Sequence, residues 1–183
     1  MKIFLCGTHS CGKTTLANEI ARRFGFQVVS EAARDIIVAD KVDFASFNRD
    51  MIAADSFQMK VTREHVRRYE SAPKGDVVFD RGLDFLVYSS MFHTVCADMY
   101  DKYFHYVERL KEKDARVFVL DPHTDLIKAD GVRASLDMET AWSITNGTVL
   151  LLEIHRIPYL RLTSPKLLER IKAVDTVIRW TKS

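Results

Sequence analysis

"GTHSCGKTT", residues 7–15, stands directly behind the apolar run "KIFLC" (2–6) and directly ahead of "LANEIARRF" (16–24). A short apolar strand that opens into two glycines, a lysine and two threonines, and then into a helix, fits the pattern G-x-x-x-x-G-K-[ST] at Gly7, Gly12, Lys13 and Thr14. Gly7 and Gly12 let the backbone curl into a nest whose amide hydrogens point inward, and Ser10, Cys11 and Thr15 fall within the same stretch. Those amides, together with the positive end of the following helix, suit a polyphosphate. Lys13 is placed to reach the β and γ phosphates, and the Thr14 hydroxyl to hold Mg2+. The guanine-reading pattern N-K-x-D is absent from the sequence, which favours ATP as the nucleotide.

Outward from this loop, short β-branched and aromatic runs alternate with longer helical patterns. Strands are predicted at Lys2–Cys6, Gln27–Ser30, Asp76–Asp80, Arg116–Asp121 and Pro158–Leu162. Brief, continuously apolar strands separated by helices indicate a parallel sheet covered on both faces, hence a doubly wound α/β fold with five parallel strands. Leu16, Ala17, Ile20, Ala21 and Phe24 form one apolar stripe of the first helix, and Gly25 stands where a left-handed cap is wanted. A second long helix is expected from Ala45 to about Glu70, with Phe47, Met51, Ala54, Phe57 or Gln58, and Val61 along one side. Pro122 to about Asp137 carries Pro, Gly and several Asp between a strand and a helix and reads as a long mobile loop, of a length that in a compact domain is functional or disordered.

The 183 residues favour one domain, large enough to bury a core without disulfides. Lys and Arg number 27 against 25 Asp and Glu, and the charges are mixed along the chain, so neither nucleic acid nor a membrane surface is the favoured partner. "IFLC" and "VLLL" are too short for a signal-peptide core or a membrane span. Cys6, Cys11 and Cys96 are odd in number and lack C-x-x-C spacing, which fits a reducing cytoplasm. The six histidines show no metal-ligand spacing. His9 and Cys11 are expected to contribute backbone to the nest, although a helix-start cysteine can have a lowered pKa.

In a doubly wound sheet, ligands gather at the carboxyl ends of the strands. "DVVFD" ends in Asp80, followed by Arg81; an aspartate there suits a direct or water-mediated magnesium ligand, and Arg81 could hold an acceptor. Two alternatives stand beside this: Asp80 as the cap of a helix starting near Leu83, and Asp121, at the end of "VFVLD", as the metal residue. The second strand leads into Glu31, with Arg34 one helical turn on. A carboxylate there could orient, or take a proton from, a hydroxyl attacking the γ phosphate; equally, an acid is favoured in the first turn of any helix by the dipole. Phe44, Phe47, Phe57 and Phe85 could stack a base or simply build core, and the basic residues of "EIHRIPYLRL" read as a solvated edge.

"GTHSCGKTTLA", "VVSEAARDII", "FDRGLDFLVY" and "KADGVRASLD" resemble, in that order, the small P-loop kinases related to the ribosylnicotinamide kinase domain, an AAA-domain-like group also similar to deoxynucleoside kinases. The resemblance spans roughly Met1 to Asp137. It implies a P-loop nucleoside or nucleotide kinase fold with a lid near 122–137, and ATP-dependent phosphoryl transfer to a nucleoside, a nucleotide or a related small acceptor. By similarity Glu31 is the hydroxyl-orienting base, Arg81 an acceptor or transition-state contact, Arg133 the lid arginine, and Gln58, from "SFQ", a candidate base reader. The chain departs from deoxynucleoside kinases in offering only Arg133, supported by Lys128, between Pro122 and Ala141; Lys13, magnesium, Arg81 or Arg34 must then share the developing charge. A homodimer is compatible with this reading. The competing reading is a P-loop ATPase, or a kinase acting on a nucleic-acid hydroxyl.

Overall fold

A computed structural model describes residues 1–41, 51–91, 97–126 and 137–182. β1 (Lys2–Cys6), β2 (Gln27–Val29), β3 (Val77–Phe79), β4 (Ala115–Leu120) and β5 (Tyr159–Leu162) form one sheet in the order β2-β3-β1-β4-β5. Every pairing is parallel, with Phe4 opposite Phe79 and Val117, and Leu120 opposite Leu162. β1, which feeds the glycine loop, is therefore the central strand.

Alternation along β1 divides the core. Ile3 and Leu5 face α1 (Lys13–Phe24) and the carboxyl-terminal α7 (Leu167–Lys182), packing with Leu16, Ile20, Ile171 and Val174. Phe4 and Cys6 face the other layer, which holds α3 (Met51–Glu70), α4 (Asp84–Met91), α5 (Ala97–Leu110) and α6 (Met138–Ile154). There Phe4 stacks on Phe79 at 4.7 Å, and Tyr69, Phe85 and Tyr106 extend the aromatic cluster. Each such fully buried side chain contributes about 1.5–3 kcal/mol. α2 (Ala32–Asp40) packs Ala33 and Ile37 against Phe57 and Val61 of α3.

The sequence boundaries shift by a residue or two where side chains claim the ends. β2 stops at Val29 because Arg68 takes both the Ser30 carbonyl and its hydroxyl. β3 covers Val77–Phe79, with its flanking residues still bonded to β2 through the backbone, Gln27 N–H donating to the Asp76 carbonyl and Asp80 N–H to the Val29 carbonyl. The Asp76 carboxylate binds the amino terminus and Lys182, and that of Asp80 accepts from Thr14. Gly25 closes α1 at φ +75°, its N–H donating to the Ala21 carbonyl. The expected helical residues 45–50 and most of the expected lid, 127–136, lie outside the described residues. No described helix is long and apolar enough to cross a membrane.

Candidate active site

The loop between β1 and α1 has the backbone that its glycines imply. Gly7, Ser10 and Gly12 all have positive φ, at +134°, +59° and +93°. At Gly7 a side chain is excluded twice over, since a Cβ would sit 2.6 Å from the Leu120 carbonyl oxygen. Lys13 is nearly buried, and its ammonium donates to the Gly7 and Thr8 carbonyls, 2.7 Å each. A phosphate oxygen is a stronger, charge-assisted acceptor than either carbonyl, so an arriving polyphosphate can take over these donors. The first turn of α1 carries no acid, leaving the positive end of the helix unopposed. Thr15 is exposed, Ser10 is half-buried and Cys11 is fully buried; burial pushes the Cys11 thiol up, which removes the lowered-pKa alternative.

Thr14 and Asp80 meet across the loop, the Thr14 hydroxyl donating to Asp80 Oδ2 at 2.6 Å. Two hard oxygens side by side at the mouth of an anion nest suit magnesium, which binds few protein groups and completes its shell with phosphate oxygens and water. Asp80 does not serve as the start of α4, which opens at Asp84. Asp121 is committed elsewhere: Arg161 Nε holds its Oδ1 at 2.6 Å, with the guanidinium over the Trp142 ring. Arg161 is itself exposed on the edge strand β5, so the basic residues of that segment lie on the solvated edge that was expected, with Arg161 reaching from it to a buried carboxylate.

Next to Thr14 and Asp80 lies a buried charged array. Arg81 is ion-paired through Nη1 with Glu31 Oε1, and its Nε donates to Asp84 Oδ2 at 2.8 Å. Asp84, fully buried, also accepts from the Gly82 amide and stands 3.9 Å from the Lys13 ammonium. Lys13, Asp84, Arg81 and Glu31 therefore form a chain of alternating charge from the glycine loop to the end of β2. Glu31 occupies the N-cap position of α2 but makes no side-chain cap hydrogen bond; its carboxylate is directed to Arg81 instead.

Four residues that hold this array were not singled out from the sequence. Asp84 follows Arg81 at the i,i+3 spacing that helical pairs use, a local signal. Tyr88, a turn further along α4, lies under the Arg81 guanidinium at 4.9 Å, and its hydroxyl accepts the His9 N–H and bonds Thr8 Oγ1. The Tyr106 hydroxyl donates to the Arg81 carbonyl at 3.2 Å. Arg68 donates to the Ser30 and Glu31 carbonyls and to Asp35, fixing the turn that carries Glu31. Arg68 also shares Glu64 with Arg67, and these hydrogen bonds hold the Glu64 carboxyl down to about 2.

The remaining expectations separate. Gln58 is buried on α3, whereas Arg34 is exposed on the first turn of α2. Phe57 and Phe85 are core, with His65 stacked on Phe85 at 5.1 Å. Phe44, Phe47, Cys96, Lys128 and Arg133 lie outside the described residues.

A family model described as an AAA domain matches residues 2–170. No curated protein matches the sequence. Among solved structures, the chain is similar to deoxyadenosine kinase from M. mycoides with dCMP and dCDP bound, at 16% identity and TM-score 0.69 over 98% of this chain and 99% of that one. It is also similar to NadR in complex with NR, at 20% identity and TM-score 0.64, covering all of this chain and 52% of that one. Shikimate kinase from Acinetobacter baumannii in complex with shikimate matches at 16% identity and TM-score 0.53, over 97% of this chain and 93% of that one. The architecture is thus that of the small P-loop kinases.

Proposed function

Given that this chain belongs to the AAA-domain family, we propose that it is an ATP-dependent phosphotransferase that passes the γ-phosphoryl group to a nucleoside, a nucleotide or a related small acceptor. One observation carries the reading: the buried array Lys13–Asp84–Arg81–Glu31 joins an anion-binding loop to a carboxylate poised at the neighbouring strand end. A carboxylate at that place can orient an attacking hydroxyl, and the label-transfer screen below decides whether that hydroxyl is an acceptor's or water's.

In this mechanism the nest amides and Lys13 bind the β and γ phosphates. Glu31 orients the acceptor hydroxyl. As that oxygen bonds to the γ phosphorus and the bond from phosphorus to the departing ADP oxygen breaks, Glu31 takes the hydroxyl proton. Arg81, held between Glu31 and Asp84, presents its remaining guanidinium edge to the acceptor or to the transferred group. Thr14 and Asp80 would hold magnesium, whose contribution is to neutralise phosphate charge. Arg133 is assigned to the lid that closes over the phosphates, with Gln58 and Arg34 as candidate acceptor contacts. The nucleoside or nucleotide class is favoured by the likeness to deoxyadenosine kinase with dCMP and dCDP bound.

The test is a screen with γ-labelled ATP against nucleosides, nucleotides, small hydroxy acids and oligonucleotides. Label transferred to a nucleoside or nucleotide supports the proposal. Label appearing only as free phosphate, whatever the acceptor, favours an ATPase; label on oligonucleotide ends alone favours a nucleic-acid kinase.

A further inference from the structure

Arg170, on α7, is almost completely buried, at 3% exposure, yet its guanidinium is held by carbonyls: Cys11 and Ser164 at 2.5 Å and Asp121 at 3.2 Å. These carbonyls belong to the glycine loop, the β5–α7 turn and the end of β4. A buried cation is costly to keep, and three carbonyl dipoles together with the charge of the nearby Asp121 carboxylate must repay its desolvation. That cost marks Arg170 as more than a packing residue.

Its contact with Cys11 has a geometric consequence. The peptide joining Cys11 to Gly12 is planar and trans, so its C=O and N–H point in opposite directions. Fixing the Cys11 carbonyl on Arg170 directs the Gly12 amide away from α7. The guanidinium also comes so close that a Cβ on Gly12 would lie 3.1 Å from Nη1, a tight contact added to the φ of +93° that already calls for glycine there. We propose that Arg170 is a positioning residue for the phosphate nest: it pins the peptide between Cys11 and Gly12 from outside the loop, keeps the Gly12 amide turned toward the anion, and adds a buried positive charge that a polyphosphate neutralises on binding. Arg170 also holds the Ser164 carbonyl, so the same guanidinium ties the nest to the β5–α7 turn. This inference rests on the donor site proposed above.

Inorganic triphosphate with magnesium, titrated by calorimetry, isolates the nest from the rest of the nucleotide. Arg170→Met should weaken triphosphate binding at least tenfold, Arg170→Gln, which keeps one donor without the charge, by an intermediate factor, and both should raise KM for ATP far more than they lower kcat. A guanidinium salt at millimolar concentration should restore part of the Arg170→Met loss, a rescue that a merely structural defect would not show. Folded Arg170→Met with wild-type triphosphate affinity overturns the inference and leaves the phosphotransferase reading intact; wild-type protein that binds no triphosphate overturns both. If neither variant folds, the wild-type protein decides: the Arg170 Nε–H resonance and the Gly12 amide resonance should both shift on saturation with triphosphate, and an unmoved pair refutes the proposal.

Discussion

Asp84→Asn tests whether the buried array is a working part. The carboxylate is fully buried, lies 2.8 Å from Arg81 Nε and 3.9 Å from Lys13 Nζ, and accepts the Gly82 amide at 3.1 Å. Asparagine keeps the shape and can keep the Gly82 bond, but it removes the negative charge between two nearly buried cations. Breaking a buried ion pair from one side costs about 3–5 kcal/mol. Arg81 retains Glu31 and Lys13 retains two carbonyls, so the low end, about 3 kcal/mol, applies here. For a chain of this size that corresponds to a melting temperature lower by roughly 9 °C. The two functional consequences have opposite signs. Lys13 loses a competing anion, so ATP should bind as well as before or better; Arg81 loses the contact that fixes its plane, so transfer should slow by at least tenfold. Calorimetric melting, ATP titration and steady-state kinetics on one preparation read all three. A variant with wild-type melting and wild-type kcat would refute the idea that Asp84 organises Arg81.

Lys13→Ala should abolish turnover, because phosphate charge in the nest would lose its ammonium partner; near-normal activity in the label-transfer assay would remove Lys13 from the donor site. Glu31→Gln should lower kcat by about 10²–10⁴, the range for a general base, with ATP affinity preserved; a collapse of ATP binding in calorimetry would instead place Glu31 on the donor side. Asp76 carries a pH prediction: hydrogen bonds from Lys182 and the amino terminus hold its carboxyl below the usual range. Because the folded pKa is depressed, its stabilisation is full above the unfolded value of about 3.9 and is lost as pH falls through the folded one. The urea-midpoint difference between wild type and Asp76→Asn should therefore be constant near neutrality and shrink below about pH 4; a difference independent of pH down to 2 would refute the assignment.

What was legible in the sequence is what short stretches of chain decide. Five apolar runs became five strands: the inner strands β1, β3 and β4 are largely buried on both faces and read as continuous apolar runs, whereas the edge strands β2 and β5, each with exposed residues, are marked by short β-branched or apolar runs between helical patterns. Gly7 and Gly12 announced positive φ, and the stripe Leu16, Ala17, Ile20 announced a helix face. The pairing of Thr14 with Asp80 was foreseeable only through the rule that ligands gather at strand ends, which places residues far apart in sequence on one edge. The strand order was not legible, since alternating elements are equally consistent with several orders of the same strands. Nor were the long-range supports: Arg170 reaches Cys11 across 159 residues and Arg68 reaches Ser30 across 38, and nothing in a local window tells a buried arginine from a solvated one. The distinction matters chemically. The residues named from the sequence are those assigned to touch phosphate, metal or acceptor, and the ones found only in the fold, Asp84, Tyr88, Arg68 and Arg170, each hold one of those residues or the loop backbone in place. Substituting the first group should remove interactions with ligand outright; substituting the second should leave the ligand contacts present but misaimed, so that binding and turnover change by different factors.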